Sequence, residues 1–386
     1  MRILYVISAL TTGGAEKQVV ALSKQLARRG HEVAIYTLNT KAPREAELAG
    51  SGVNLVIDQK RTKLDPAVLW RLRKMIVDWR PDVIHGFLFD GDLYSRLAGF
   101  SSGVPVLNSE RNDNYRLSWR QRLAHRFTRG LARGVVANTY AGKKFAQHLF
   151  GLLPDDVHVV WNGIQTEELE RKAAAGARDY RSEFFGDQRV RLACLVGAIK
   201  PQKNYHLALD TAARLIAIDP AWRVLFIGDQ LSPSGPYKPG AASDTRSYKD
   251  SVLRHYHRLG LQEKIRFCGH RADVPAILRQ SDVLFVTSVH EGFPNTVLEA
   301  MCLGVPVVST EYSDIRRILP FPRQVVARHS PEDIARAVIW AYSERDAIAA
   351  GQKRWVHDHG TIEKAVTELE AVYRKYIKND PRFQTA

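Results

Sequence analysis

The sequence predicts an α/β protein of two doubly wound, parallel-sheet domains in tandem. Three observations carry that expectation. Short apolar runs of strand length alternate with amphipathic stretches of helical length along most of the chain. Such alternation means parallel strands with helices on both faces. The rhythm falters once, over residues 166–188, and then begins again. Finally, 386 residues are too many for one ordinary core and suit two domains of roughly 170–200 residues.

The elements follow in order. "RILYVIS" is a first strand, entering a Gly13-Gly14 loop rather than a leader cleavage site. A helix follows over 15–29, with Val19, Leu22 and Leu26 on one face, stopped by Gly30; "HEVAIYT" is the next strand. Further strands are expected at 53–57, 82–86, 104–109, 134–138 and 157–161. The stretch 166–188 is polar, helical and short of core residues, so it reads as a linker. The second alternation has strands at 190–197, 222–228, 264–269, 282–288 and 305–310, with helices between them and from about 331 onward. The expected domains are therefore 1–165 and 189–360. A last helix, 361–386, is expected to pack back on the first domain. Residues 229–248, rich in Pro, Gly and Ser, read as a loop insertion.

Composition narrows the classes. An apolar fraction of 45% with 25% charged residues excludes a disordered chain. No apolar run approaches the roughly 20 residues that span a bilayer. Cys194, Cys268 and Cys302 lie far apart in apolar contexts, as reduced core thiols do, and no pair has metal-ligand spacing. The net charge of +15 implies an anionic partner: nucleic acid, a phosphorylated substrate or an anionic membrane face. No nucleic-acid recognition motif or stacking platform accompanies it.

"HEGFPNTVLEA", from His290 to Ala300, places Glu291 and Glu299 on either side of a tight turn. The turn follows a buried strand, Asn295 can N-cap the next helix, and Gly304 ends it. The two carboxylates thus stand at different depths around one helix N-terminus, whose N–H groups and dipole attract an anion. A phosphate there and hydroxyls on either side suit a nucleotide sugar. A solvated Glu291 and an ordinary first-turn Glu299 are the plain alternative.

The segment resembles the retaining glycosyltransferases of family 4, of GT-B fold: "EGFPNTVLEAMCLGVPVVST" matches their E-x7-E signature. "TTGGAEKQVVALSKQLARRGHEV", "WNGIQ", "VGAIKPQKNYHLAL" and "FCGHRADVPAILRQSDVLF" fall where that family has comparable segments. The resemblance implies two Rossmann-like domains facing across a cleft, the second holding the donor. It implies that Glu299 binds the ribose and that Glu291 meets the sugar near the reacting carbon. Gly13 and Gly14 would approach the donor phosphates, or else only make a tight strand-to-helix turn; the backbone around Gly292, Phe293, Asn295 and Thr296 would approach them too, though Pro294 has no N–H to offer. Lys203 matches the family's diphosphate-binding lysine. Ala198, however, stands where the family has arginine. Lys200 either supplies the missing charge or is a solvated loop lysine.

Two candidates lie on the acceptor or sugar side. His85 ends an apolar strand and either touches ligand or is a satisfied strand-end histidine. Arg111 falls near a family histidine that contacts the sugar; it either holds a phosphate or pairs with Asp113. The stretch 116–134 is a basic amphipathic helix. Its apolar residues Leu123, Phe127 and Leu131 are expected to pack on the sheet, leaving arginines for anionic lipid.

The expected protein is a retaining, metal-independent glycosyltransferase without a cofactor. A UDP-sugar is favoured as donor over a GDP-sugar. The expected acceptor is a glycan or polyprenyl-linked oligosaccharide of bacterial surface polysaccharide, and the expected location is cytoplasmic, peripheral on the inner membrane. A non-catalytic nucleotide-sugar-binding relative, or a transferase with a soluble acceptor, is the alternative. A nicotinamide oxidoreductase lacks its G-x-G-x-x-G and its acid after the second strand.

Overall fold

The computed structural model of the chain describes residues 1–11, 13–111, 117–175, 178–229 and 243–378. They fall into two compact units, Met1–Ile164 with His359–Ala386, and Gln165–Asp358.

The first unit is a seven-stranded sheet: β1 (Arg2–Ile7), β2 (Glu32–Thr37), β3 (Asn54–Ile57), β4 (Val83–Phe87), β5 (Val106–Glu110), β6 (Gly134–Ala137) and β7 (Val157–Val159). The order is β3-β2-β1-β4-β5-β6-β7, and every pairing is parallel. Its inner strands are near-continuous buried runs, as in a sheet covered on both faces, while the edge strands β3 and β7 are only partly buried. One face packs on the helix Gly14–Arg28, whose Val19, Leu22 and Leu26 are buried as predicted. The other packs on the helices Pro66–Trp79 and Leu88–Gly99.

The second unit has β8 (Arg191–Gly197), β9 (Trp222–Gly228), β10 (Ile265–Phe267), β11 (Val283–Val286), β12 (Val307–Thr310) and β13 (Val325–Val326). Their order is β10-β9-β8-β11-β12-β13, again all parallel. In each sheet the direction of strand addition reverses once, between β1 and β4 and between β8 and β11. Ligands of doubly wound sheets bind beyond the carboxyl ends of the strands at such switch points.

The stretch 166–188 is not a linker. It forms the helices Thr166–Ala174 and Tyr180–Phe185, both within the second unit. Leu169, Ala173 and Tyr180 are buried there, and Phe184 and Phe185 are half-buried. The Tyr180 hydroxyl donates to Asp273 at 2.9 Å, and its amide to Gln280 at 3.0 Å. Of the insertion 229–248, residues 230–242 lie outside the described residues, and the helix Ser243–Leu259 begins within its range.

The helix Ile362–Lys378 packs on Gly14–Arg28 in the first unit. The chain returns to that unit where Ile362 donates its amide to the Ile164 carbonyl at 2.9 Å. Gly163 makes the crossing possible, since a Cβ there would stand 2.5 Å from the Ile362 Cα. Among the described residues no helix is long and apolar enough to cross a membrane.

Candidate active site

The switch point of the second unit brings two loops together. One runs from β8 through the turn Pro201–Lys203, the other from β11 to the helix Asn295–Cys302. Backbone and side chains stitch them. Val289 donates its amide to the Gln202 carbonyl at 2.9 Å, and the Thr287 hydroxyl donates to the Lys203 carbonyl at 2.8 Å. The Gln202 amide donates to the His290 carbonyl at 2.7 Å.

This stitching sets Lys203 against Glu291 as an ion pair. The Ser288 hydroxyl donates to the same carboxylate at 2.8 Å, and the Gln202 amide reaches it at 3.3 Å. Both charged side chains are mostly shielded, with 23% of Lys203 and 13% of Glu291 accessible. The Lys203 stem passes over Gly197, so a side chain at 197 would crowd it. Lys203, Ser288, Glu291 and Thr296 line one small cavity with Val196, Pro294 and Val297. A lysine, a carboxylate and a helix N-terminus around one cavity can bind a diphosphate and grip a hydroxylated ring beside it.

The helix begins one residue away from expectation. Pro294 is its N-cap, with no side-chain cap bond, and Asn295 is already its first helical residue. Asn295 is therefore not its N-cap residue. Gly292 is half-buried and the Phe293 ring is buried, so Phe293 meets a ligand only through its backbone. Glu299 lies one turn on, 8% exposed and outside the cavity that Glu291 lines. Gly304 ends the segment at φ 74°.

Lys200 is exposed, just before the turn. Beside Ala198, the Ile199 amide donates at 2.9 Å to Asp229, which also pairs with Lys249 at 3.0 Å. Burial pushes the Asp229 carboxyl up, but the bonds from Lys249 and Ile199 outweigh it and hold the group below the usual range. Gly228 allows this close approach. Its φ is 141°, and a Cβ there would stand 2.4 Å from the Gly197 carbonyl oxygen. Sequence reasoning missed Gln202, Ser288 and Asp229. Gln202 had a signal, since it lies between the two lysines of "KPQK"; Asp229, after a strand-ending glycine, had only its position.

In the first unit, Gly13 and Gly14 open the helix after β1. The Glu16 carboxylate folds back on that loop, accepting from the Thr11 hydroxyl at 2.6 Å, and would collide with any Cβ at Gly13. This places negative charge at the N-terminus expected to face phosphate.

His85 is not at a strand end and not open to ligand. β4 continues to Phe87, and the ring is fully buried. The Ser109 hydroxyl donates to Nε2 at 2.8 Å, and Nδ1 donates to the Tyr373 hydroxyl at 2.7 Å. That hydroxyl donates on to Tyr5 at 3.1 Å. Burial, with Arg111 nearby, holds the His85 pKa well below the ordinary value, and the neutral ring is what this chain of bonds requires.

Arg111 donates from Nη1 to Asn162 at 2.8 Å and lies over the Phe87 ring, 5.1 Å from its centroid. Burial lowers its pKa to about 10. Its Nε is buried without a hydrogen-bond partner, and among the described residues no carboxylate pairs with it; Asp113 lies outside them. Among the described residues no three His, Cys, Asp or Glu side chains converge as a metal site would need.

The family model for Glycosyltransferase Family 4 matches residues 12–168, and that for Glycosyl transferases group 1 matches residues 190–344. The chain is 28% identical over 371 residues to the D-inositol 3-phosphate glycosyltransferase of Streptosporangium roseum, across 88% of this chain and 83% of that protein. It is 28% identical over 234 residues to the lipopolysaccharide core biosynthesis mannosyltransferase LpsB of Rhizobium meliloti, across 57% and 61%. Among solved structures, HepE from Anabaena in complex with UDP superposes at a TM-score of 0.80 with 16% identity, across 97% of this chain and 100% of that one. A glycosyltransferase from Rickettsia africae does so at 0.79 with 17% identity, across 98% and 99%. At those identities the structural likeness is one of fold.

Proposed function

The chain belongs to glycosyltransferase family 4 and has the GT-B fold, and from that premise we propose that it moves a sugar, with retention, from a UDP-sugar to a glycan or lipid-linked oligosaccharide of bacterial surface polysaccharide or glycoconjugate. The observation that carries this reading is the Lys203–Glu291 pair at the head of the Asn295–Cys302 helix, beyond the strands at the switch point. The relatives' names favour the details: HepE is described with UDP, and LpsB with the lipopolysaccharide core.

In this mechanism the bond from the anomeric carbon to the diphosphate oxygen breaks while the acceptor oxygen attacks the same face. The acceptor proton passes to a diphosphate oxygen, and UDP leaves. Negative charge grows on the diphosphate, and Lys203 with the helix N-terminus opposes it, so the step needs no metal. An ammonium has three protons; Lys203 can keep its bond to Glu291 and still direct one at phosphate. Glu291, fixed by Ser288 and Gln202, accepts from the sugar hydroxyls. Glu299 accepts from the ribose. The protein works at the cytoplasmic face of an anionic membrane, where such acceptors are presented.

The test separates the two carboxylates. Glu291→Gln should lower turnover about 100-fold or more with little change in donor affinity, as loss of a transition-state contact does. Glu299→Ala should instead weaken nucleotide binding about tenfold, the loss of a charged hydrogen bond. Transfer at the native rate by both variants would refute the site. Activity abolished by chelator would refute the metal-free step, and an inverted anomeric centre in the product would refute retention.

A further inference from the structure

The helix Trp119–Thr128 is amphipathic the wrong way round. Its one buried side chain is His125, while Trp119, Leu123 and Phe127 are 69%, 45% and 76% exposed. The expected packing of that apolar face on the sheet does not occur. At ~100° per residue the three span ~80° of the helix circumference, with Arg122 and Arg126 on one flank and Arg120 on the other. Those arginines are exposed as well.

Polar interlocks fix this orientation. Arg96, itself 2% exposed, donates from Nη2 to His125 Nδ1 and from Nη1 to the Thr128 hydroxyl, both at 2.9 Å. The Phe89 ring stands edge-on to His125, their centroids 5.0 Å apart. Ser118 and Gln121 close a capping box at the N-terminus. Turning the apolar stripe inward would break the Arg96 bonds and strand a buried guanidinium. The stripe therefore faces outward by construction, and Leu153, 69% exposed, follows Gly151, against which Arg129 lies.

We propose that this face docks the protein on an anionic lipid bilayer. Trp119, Leu123 and Phe127 enter the boundary between head groups and acyl chains, and the flanking arginines bind head-group phosphates. The proposal rests on the reading of a lipid-borne acceptor for its purpose, not for its physics. Charge complementarity selects the occupant: no acidic residue occurs between Asp113 and Asp155. A two-fold contact with a second copy would set arginine against arginine across the axis. Nucleic acid would leave the apolar stripe wet. An anionic bilayer satisfies both halves, since aromatic and aliphatic side chains settle at its interface and basic ones at its surface.

The test is sedimentation of the full chain with phosphatidylcholine vesicles, with and without phosphatidylglycerol. The native chain should bind the mixed vesicles and prefer them strongly over neutral ones. Replacing Trp119, Leu123 and Phe127 together by serine should weaken binding roughly tenfold or more. Arg120→Gln, Arg122→Gln and Arg126→Gln should each cost about fivefold on anionic vesicles, and together erase the lipid preference. Both sets should release UDP from a UDP-sugar in lipid-free solution as the native chain does, which also shows that they fold. A native chain indifferent to vesicles, or a triple-serine variant that binds as well as native, overturns the proposal. So does a lipid-free dimer that the triple-serine change dissolves, because the stripe would then belong to a second copy. UDP release failing in the native chain while vesicle binding holds would sink the transferase reading alone.

Discussion

Lys203 and Glu291 neutralise each other across the cavity, and this leaves little spare positive charge for a departing diphosphate. Ala198 sharpens the shortage, for nothing at that position can reach a phosphate, and Lys200 stands exposed. Ala198→Arg should therefore raise kcat/KM severalfold, about 1 kcal/mol or more of transition-state charge stabilisation; steady-state transfer rates check it. Unchanged rates would mean that Lys200 already supplies the charge. At this scale the E-x7-E segment was legible because its turn, helix and flanking strands are local. His85 stayed open between ligand contact and a satisfied core position because its sequence shows an apolar strand with one polar residue, but not the two hydroxyls, Ser109 and Tyr373, that come to its ring from distant positions.

The helix Trp119–Thr128 shows how an element can carry the right periodicity and the opposite orientation. Its apolar spacing reads as a core face; what turns it over is Arg96, which needs a neutral acceptor and finds His125. Burial, with help from Arg96, lowers the His125 pKa from 6.5 to about 3. The folded state thus keeps the ring neutral where the unfolded chain would protonate it. The stability this contributes is present above pH 6.5 and drains as pH falls toward about 3. Asp92, raised by burial to about 8, acts with the opposite sign, so the difference between variants isolates the histidine. His125→Gln keeps an acceptor for Arg96 and removes the titration. Denaturant unfolding at pH 7.5 and 5 should show the native chain losing more stability than the variant; equal losses would mean that His125 is not held neutral. The helices within 166–188 teach a related lesson. A few buried side chains, with the hydrogen bonds of Tyr180 and the Arg181–Asp282 pair, dock a polar segment on a surface built elsewhere in the unit.

At the scale of the whole molecule, the last described helix belongs to the first unit although it follows the second in sequence. Tyr373 anchors it by accepting from His85 and donating to Tyr5. Tyr373→Phe would leave the buried His85 N–H without its acceptor, at a cost of about 1–3 kcal/mol. The unfolding transition of the first unit should shift by that amount while the second unit's stays in place; equal shifts in both would refute the assignment of the helix to one unit. The sequence by itself determined the two alternations of strand and helix, hence the parallel sheets, and the carboxylates, lysine and glycines that follow particular strands. All of these are local, set by periodicity and by turn chemistry within a few residues. Only the tertiary structure decided that Lys203 is paired with Glu291, that His85 is core, that 166–188 is no linker and that an apolar stripe faces outward. Each depends on which side chain arrives from far along the chain to satisfy a buried polar group, and periodicity carries no record of that partner.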